Sequence, residues 1–379
     1  MLELPPLSLY VHIPWCIKKC PYCDFNSHEN ADKIPENDYL ESIFCDLQND
    51  LPWVQNRKIH SIFFGGGTPS LFSAHAIEKI IQQAETLIGF EDNIEITLEA
   101  NPGTAEQQKF SDFKSAGVNR LSIGVQSFNN NHLKALGRIH DGENAHRAIG
   151  MAQNSGFERI NIDLMHGLPN QTREQAINDL DIAVNTGITH ISWYQLTIEP
   201  NTVFYAKPPV LPVEDQLADI QDIGHTALTG AGFAQYEVSA FAKNTEHCKH
   251  NTNYWQFGDY LGVGAGAHGK ITLPDKNIII RITKTRQPQH YINHTVSALG
   301  ANKQIAENQL ALEFMMNALR LTHGVTVDLF SSRTGLTPDQ IKPEIDRLKQ
   351  EGFLRKLSSE YSTTDLGMRF LDTILQRFS

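Results

Sequence analysis

What the sequence lacks narrows it first. No apolar run approaches the roughly 18 residues that a membrane-crossing helix needs, so an α-helical integral membrane protein is not expected. The N-terminus, MLELPPLSLYVHIPW, has no basic flank leading into a long apolar stretch, so a secretory signal is not expected either. Basic charge is short: 32 Lys and Arg face 43 Asp and Glu, a formal net charge of −11. That sign argues against broad nucleic-acid binding, which depends on neutralising phosphates. Cysteine is scarce, five in 379 residues, and the number is odd. A disulfide-stapled scaffold is thereby disfavoured. The count suits a reducing, cytoplasmic compartment in which thiols stay free for metal ligation. No internal repeat or low-complexity segment stands out. What remains, at 40% hydrophobic and 20% charged, is an ordinary globular composition, long enough for one large domain and a small one.

Along the first two-thirds a pattern recurs. Short β-branched runs (7–14, 59–69, 94–102, 120–127, 159–169 and 190–200) end in Gly, Pro or polar clusters and are followed by helical stretches such as AHAIEKIIQQAETLI. Six strands alternating with helices predict parallel βα units. The runs read as near-continuous apolar stretches, as strands buried on both faces would. The expected fold is α/β: a partial (β/α)6 TIM-like barrel, with a doubly wound open sheet as the alternative that periodicity alone does not separate. From about residue 305 the character changes. An amphipathic helix, IAENQLALEFMMNALRL, precedes a helix–turn–helix–hairpin–helix order that resembles a small winged-helix α+β module. In so acidic a chain a packing role is the expectation for it, ahead of DNA binding.

Three of the five cysteines, Cys16, Cys20 and Cys23, fall within IPWCIKKCPYCDF, just after the first strand. Structural zinc normally takes four protein ligands, and the next cysteine, Cys45, lies in a helical stretch where a small buried hydrophobe is its expected role. A short loop can present three thiolates to three irons of a cubane and leave the fourth iron open to an exogenous ligand. Binding residues gather at strand C-termini in barrels. There stand Gly65-Gly66-Gly67-Thr68-Pro69, Glu99, Gln126 and Asp163, with Arg138 further on. Glycines admit close backbone approach. Carboxylates accept from nucleoside hydroxyls, and Arg pairs with a carboxylate.

The spacing CxxxCxxC, as Cys16-IKK-Cys20-PY-Cys23, resembles the cluster motif of the radical S-adenosylmethionine (SAM) superfamily. The resemblance implies a [4Fe–4S] cluster on three cysteines, with SAM chelating the fourth iron through its amino and carboxylate groups. It also implies an electron from the cluster that cleaves the sulfonium to a 5′-deoxyadenosyl radical. The chain is further similar to oxygen-independent coproporphyrinogen oxidase and its HemN-like relatives over about residues 7 to 170, and in pattern beyond. That similarity implies SAM contacts at Gly66, Gly67, Thr68, Glu99, Gln126, Arg138 and Asp163, with Tyr10 and Tyr22 as further cluster and SAM contacts.

Two departures turn the expectation away from the oxidase. The oxidase loop carries another cysteine two residues after the third, and here that place is Phe25. The oxidase's N-terminal extension, which helps bind a second SAM and the porphyrinogen, is also expected to be absent. Both fit the shorter sister family, the HemW haem chaperones. Residues 250–255, HNTNYW, match the HNxxYW pattern typical of that family. His250 or Cys248 is expected as haem ligand, with Tyr254 and Trp255 flanking the macrocycle. His247 clusters with them in sequence, and His268 could line the same cavity. The GVGAGAHG run around His268 reads as a tight strand-to-loop turn and lacks the context of a dinucleotide site. Three regions are expected: a radical SAM partial barrel over 1–235, a connecting segment with HNxxYW over 236–300, and a HemW/HemN-like helical module over 301–379. The family implies binding of haem, its delivery to recipient haem proteins, a cluster-dependent homodimer and peripheral membrane association. Whether the chain is also an enzyme stays open. The alternatives are a radical SAM enzyme acting on a porphyrin and a HemN-like methyltransferase. A radical SAM tRNA modifier is disfavoured for want of a basic RNA-binding extension.

Overall fold

The computed structural model describes residues 1–29, 34–104, 107–293 and 299–378. Six strands open six βα units: β1 (Leu7–Ile13), β2 (Ile59–Gly66), β3 (Phe90–Ala100), β4 (Arg120–Gln126), β5 (Arg159–His166) and β6 (His190–Gln195). They lie side by side in chain order and pair in parallel. A doubly wound sheet reverses its strand order at a switch point. The unbroken order is that of a barrel-type sheet.

The later chain extends the sheet on both sides. Strands β7 (Ala234–Glu237) and β8 (Ala240–Ala242) add antiparallel beyond β6. Strand β9 (Asp259–Val263) pairs in parallel with β1. Strands β10 (His268–Leu273), β11 (Ile278–Lys284) and β12 (Leu299–Gln304) follow antiparallel. The full order is β12-β11-β10-β9-β1-β2-β3-β4-β5-β6-β8-β7. Much of the 236–300 segment is therefore part of the sheet.

The crossover helices form where the sequence provides caps and one apolar stripe. Ser73 caps the helix Ala74–Leu87, accepting from the Ala76 amide at 3.1 Å. That helix buries Ala76, Ile77, Ile80, Ile81 and Ala84 against the sheet, a spacing that keeps them on one face. Thr172 and Gln175 form a reciprocal capping box at Arg173–Asn185.

The strands are apolar on one face only, which departs from the near-continuous apolar runs expected. Outward positions such as Leu9, Val11, Ile62, Phe64, Ile96, Leu98, Leu121 and Ile123 join the helix-facing core. Alternate positions carry Ser8, His12, Ser61, Glu95, Thr97, Arg120, Ser122, Asn161 and His190, all buried. Period 2 sends these to the opposite face, where several bond across strands: Ser8 to Ser61 at 2.8 Å, Asn161 to Ser122 at 2.8 Å, and His190 to Asn161 at 2.6 Å. The inner surface is thus a polar, hydrogen-bonded lining.

The C-terminal module has its own core, including Phe314, Met315, Phe330, Ile345, Leu348 and Tyr361. Its helices Glu307–Ala318, Val327–Thr334 and Lys342–Gln350 accompany a ladder of Val325–Thr326 with Glu360–Tyr361, close to the expected winged-helix order. Phe257 and Ile279 of the larger body reach into that core. Among the described residues no helix is long and apolar enough to cross a membrane.

Candidate functional site

The loop after β1 is closed by short-range bonds. The His28 amide donates to the Pro14 carbonyl at 2.6 Å, and the Cys23 amide to the Cys20 carbonyl at 3.1 Å. Residues Trp15–Cys16 and His28–Glu29 form a small parallel pair. This folds the three cysteines back over the strand ends. There they share one cavity of about 300 Å³ with Tyr22, Gly66, Gly67, Thr68, Glu99, Gln126, Arg138 and Asp163. Every residue expected around the cluster and SAM lines it, with one exception. Tyr10 lies beneath: its hydroxyl bonds His12 Nδ1 at 3.0 Å, and its ring stacks on Phe63 with centroids 6.4 Å apart. It abuts Gly65, where an added Cβ would lie 3.0 Å from Tyr10 Cε2, so it buttresses the glycine turn from below.

Each thiol faces a polar group from elsewhere in the site. Thr68 Oγ1 donates to Cys16 Sγ, Arg138 Nη1 donates to Cys20 Sγ, and Ser27 Oγ lies beside Cys23 Sγ, each at 3.6 Å. Asn101 joins two of these partners. It donates to Thr68 Oγ1 at 2.8 Å and accepts from Arg138, whose Nη2 also donates to the Gly124 carbonyl at 2.7 Å. An arc of hydrogen bonds therefore runs Cys16–Thr68–Asn101–Arg138–Cys20. Among the described residues no three His, Cys, Asp or Glu side chains are grouped tightly enough to hold a single metal ion. Three thiols set around one cavity, each with a polar neighbour, suit a larger group such as a cubane. The donor set fits three-point ligation.

The electrostatics favour a cationic or hydroxyl-rich ligand. Burial, with Asp163 nearby, pushes the Glu99 carboxyl up to about 8 against an opposing bond from the Gly66 amide. Burial also raises Asp163, although Asn161 and Ser122 bond its ionised form. Two neighbouring carboxyls in one cavity resist ionising together, and a ligand carrying positive charge would relieve both. Burial raises the Cys16 thiol. For Arg138 burial works downward, but the Tyr22 and Cys20 neighbours outweigh it, and the guanidinium is held charged. Gln126 closes β4 with φ +70°, a left-handed conformation unusual outside glycine, and accepts from the Tyr194 hydroxyl at 2.7 Å.

Sequence reasoning missed Asn101, Tyr194 and Ser122, which also line the cavity. Asn101 and Tyr194 both sit at strand ends, the signal that found Glu99. Ser122 needed the inward register of β4. Phe25 stands at the cavity mouth and is 61% exposed, with Ile17 at 47% and Ile139 at 51%.

The residues expected for haem lie elsewhere. The helix Lys249–Trp255 closes the opposite, N-terminal end of the strands. His250 is 1% exposed and Cys248 fully buried. Both ring nitrogens of His250 are bonded, Nδ1 to Ser61 Oγ at 3.0 Å and Nε2 to Tyr254 Oη at 2.8 Å. The His250 amide and the Cys248 thiol both point at Glu95 Oε1, at 3.1 and 3.5 Å. Asn253 donates to Ser8 Oγ at 2.9 Å and to the Asp259 carbonyl at 3.0 Å. Trp255 lies under the Arg320 guanidinium, 4.3 Å from the ring centroid, where it faces the C-terminal module. These side chains therefore plug the inner face and dock the module. As folded, they stand apart from the cavity that the cysteines line. The physical reason is that HNTNYW folds as a helix whose polar groups satisfy the buried lining. His247 is less buried and stacks on Tyr236 at 4.1 Å, and His268 is exposed at the start of β10.

Residues 10–183 match the family model of the radical SAM superfamily, and residues 305–370 match that of the HemN C-terminal domain. The chain is 50% identical to the heme chaperone HemW of Haemophilus influenzae, covering 100% of this chain and 99% of that protein. To the heme chaperone HemW of Escherichia coli it is 47% identical, again over 100% and 99%. To that of Bacillus subtilis it is 32% identical over 95% and 96%. Among solved structures, coproporphyrinogen III oxidase (HemN) from Escherichia coli, a radical SAM enzyme, superposes with a TM-score of 0.82. It covers 99% of this chain and 90% of that one at 22% identity, which shows a shared fold.

Proposed function

The chain belongs to the HemW family of haem chaperones and carries a radical SAM domain, and from that premise we propose that it holds a [4Fe–4S] cluster and SAM and carries haem to recipient haem proteins. The observation that carries the cluster and SAM part is the single cavity in which Cys16, Cys20 and Cys23 meet Gly66, Gly67, Thr68, Glu99, Gln126, Arg138 and Asp163. The haem part rests on the named relatives.

In this reading the three thiolates hold the cluster. Thr68, Arg138 and Ser27 place a polar group against each sulfur. Gly66 and Gly67 present backbone without side chains, so a methionyl head group can approach closely. Arg138 supplies a fixed positive charge to a carboxylate. Glu99 and Asp163 face hydroxyls or a cationic centre, and Tyr22 and Tyr194 wall the side of the cavity. When bound, a cluster of this kind supplies an open iron and an electron. Phe25 brings an apolar ring where the oxidase pattern has a thiol, which supports a role other than coproporphyrinogen oxidation.

As folded, His250 and Cys248 offer no free ligating atom to solvent. Haem ligation by either would require the Lys249–Trp255 helix to move. The reading is tested by loading anaerobically reconstituted protein with haem and mixing it with an apo haem protein. A saturable Soret shift followed by transfer supports the chaperone. Conversion of coproporphyrinogen III with consumption of SAM, and no transfer, would establish the porphyrin enzyme instead. Cluster-dependent pairing and membrane contact belong to the same reading; size-exclusion and vesicle co-sedimentation of the loaded protein check them.

A further inference from the structure

The second half of the cysteine loop is held by a part of the chain remote in sequence. Asn26 spends both amide hydrogens on backbone carbonyls there: Nδ2 donates to Ala265 O at 2.9 Å and to Arg286 O at 2.8 Å. Its own carbonyl bonds His12 Nε2 at 2.9 Å. A carbonyl only accepts, so His12 carries its proton on Nε2, and Nδ1 accepts from the Tyr10 hydroxyl. On either side of Asn26, Lys19 Nζ donates to the carbonyls of Phe25 at 3.0 Å and Ser27 at 3.2 Å. Ser27 in turn stands beside Cys23.

The receiving turn, between β9 and β10, is shaped for this contact. Gly266 has φ +84°, and a Cβ there would lie 2.2 Å from Asn26 Nδ2. Gly264 has φ +102°, and a Cβ there would lie 2.3 Å from the His12 carbonyl oxygen. Only glycine meets both demands. The glycine-rich run is thus a seat for the cysteine loop. The seat is stiff. The Ala265 amide donates to Tyr39 Oη at 2.7 Å, and that hydroxyl donates to the His12 carbonyl at 2.8 Å. The Gly264 amide donates to Tyr291 Oη at 3.0 Å, which donates to Asp46 at 2.6 Å. Asp46 pairs with buried Lys284, whose ammonium also meets Asp50 at 2.9 Å.

We propose that Asn26 is a positioning residue for the cluster. By pinning residues 25–27 to the 264–267 turn and to Arg286, it fixes where Cys23 and Ser27 stand, and so how firmly iron is held at Cys23. The inference rests on the cluster reading above.

The test uses full-length, anaerobically reconstituted protein and three variants. Asn26→Ala removes the amide. Asn26→Asp keeps its size and loses both donors. Gly266→Ala keeps Asn26 but crowds its amide. Three quantities are measured: the rate of iron loss to a chelator, the electron paramagnetic resonance spectrum of the reduced cluster, and the unfolding midpoint of the apoprotein. Partners one shell beyond a metal ligand typically matter by about 10–100-fold in affinity. All three variants should therefore lose iron about 10–100-fold faster with an altered spectrum, while the apoprotein midpoints of the two Asn26 variants stay near wild type. Wild-type rates and spectra in Asn26→Asp and Gly266→Ala overturn the proposal. So does faster loss that only tracks a lowered apoprotein midpoint. If wild type itself takes up no cluster, the cluster reading falls and this inference with it.

Discussion

At the scale of single residues, Glu99 makes the most specific prediction. Its carboxyl is held at about 8 by burial and by Asp163. A ligand bearing a sulfonium and an ammonium favours the ionised form. Below pH 8, binding must then release a proton, so SAM affinity should rise with pH and level off above about 8. Calorimetry in buffers of different ionisation heat checks it. In Glu99→Gln the dependence on pH around 8 should weaken to what Asp163 contributes, and the affinity at pH 8 should fall about tenfold or more, the loss of one charged hydrogen bond. Unchanged pH dependence in Glu99→Gln would move the titration elsewhere. The same scale shows why some site residues were legible and others not. Cys16, Cys20 and Cys23 are rare residue types at a telling spacing, whereas Asn101 bonds Thr68 and Arg138, partners that lie 33 and 37 residues away.

At the scale of elements, the Lys249–Trp255 helix ties three things together. His250 joins Ser61 of β2, Asn253 joins Ser8 of β1, and Trp255 meets Arg320 of the C-terminal module. Its sequence suggested a haem site because His, Tyr and Trp are haem-pocket residues; their burial within the sheet lining was invisible in a linear pattern. His250→Ala should destabilise the apoprotein by about 2–4 kcal/mol, since it leaves a cavity, takes one of the two bonds of Ser61 and unpairs Tyr254. Urea unfolding measures this. A loss below about 0.5 kcal/mol would show that the helix does not plug the barrel as described. Haem binding by this variant must therefore be read against its stability, and His250→Gln, which keeps a polar partner of similar size, is the better probe of ligation. Arg320→Ala should loosen the module, through loss of both the Trp255 contact and the 3.0 Å pair with Glu237. Limited proteolysis should then degrade the C-terminal module faster than in wild type, and an unchanged cleavage rate would refute the docking role.

At the scale of the whole molecule, strand order was legible because each βα unit announces itself locally: a β-branched run, a turn cluster, a capped helix. The two sheet extensions were not, because β9 inserts beside β1 from over 240 residues away and only long-range packing sets that pairing. The buried histidines have a consequence for acid stability. Burial lowers His12, His140 and His166 to about 4 and His250 to about 3. In the unfolded chain these groups bind protons near pH 6.5. Between pH 6.5 and 4 the unfolded state holds more protons, so stability falls as pH drops. Glu99 and Asp50, raised to about 8 and about 6, oppose this, since their contribution is lost as pH rises. The histidines outnumber them, and the apoprotein unfolding midpoint should fall from pH 7 to pH 5. A flat or rising midpoint would mean that these histidines are hydrated rather than buried.

The central claim is that three cysteines hold a cluster whose remaining iron is open to SAM. Electron paramagnetic resonance of the reduced, anaerobically reconstituted protein tests it most directly. Iron and sulfide in the ratio of a [4Fe–4S] cluster, with a spectrum that changes on adding SAM in wild type, are the predicted result, together with loss of the signal in Cys20→Ser. Zinc in place of iron, or a cluster spectrum indifferent to saturating SAM, would contradict the account.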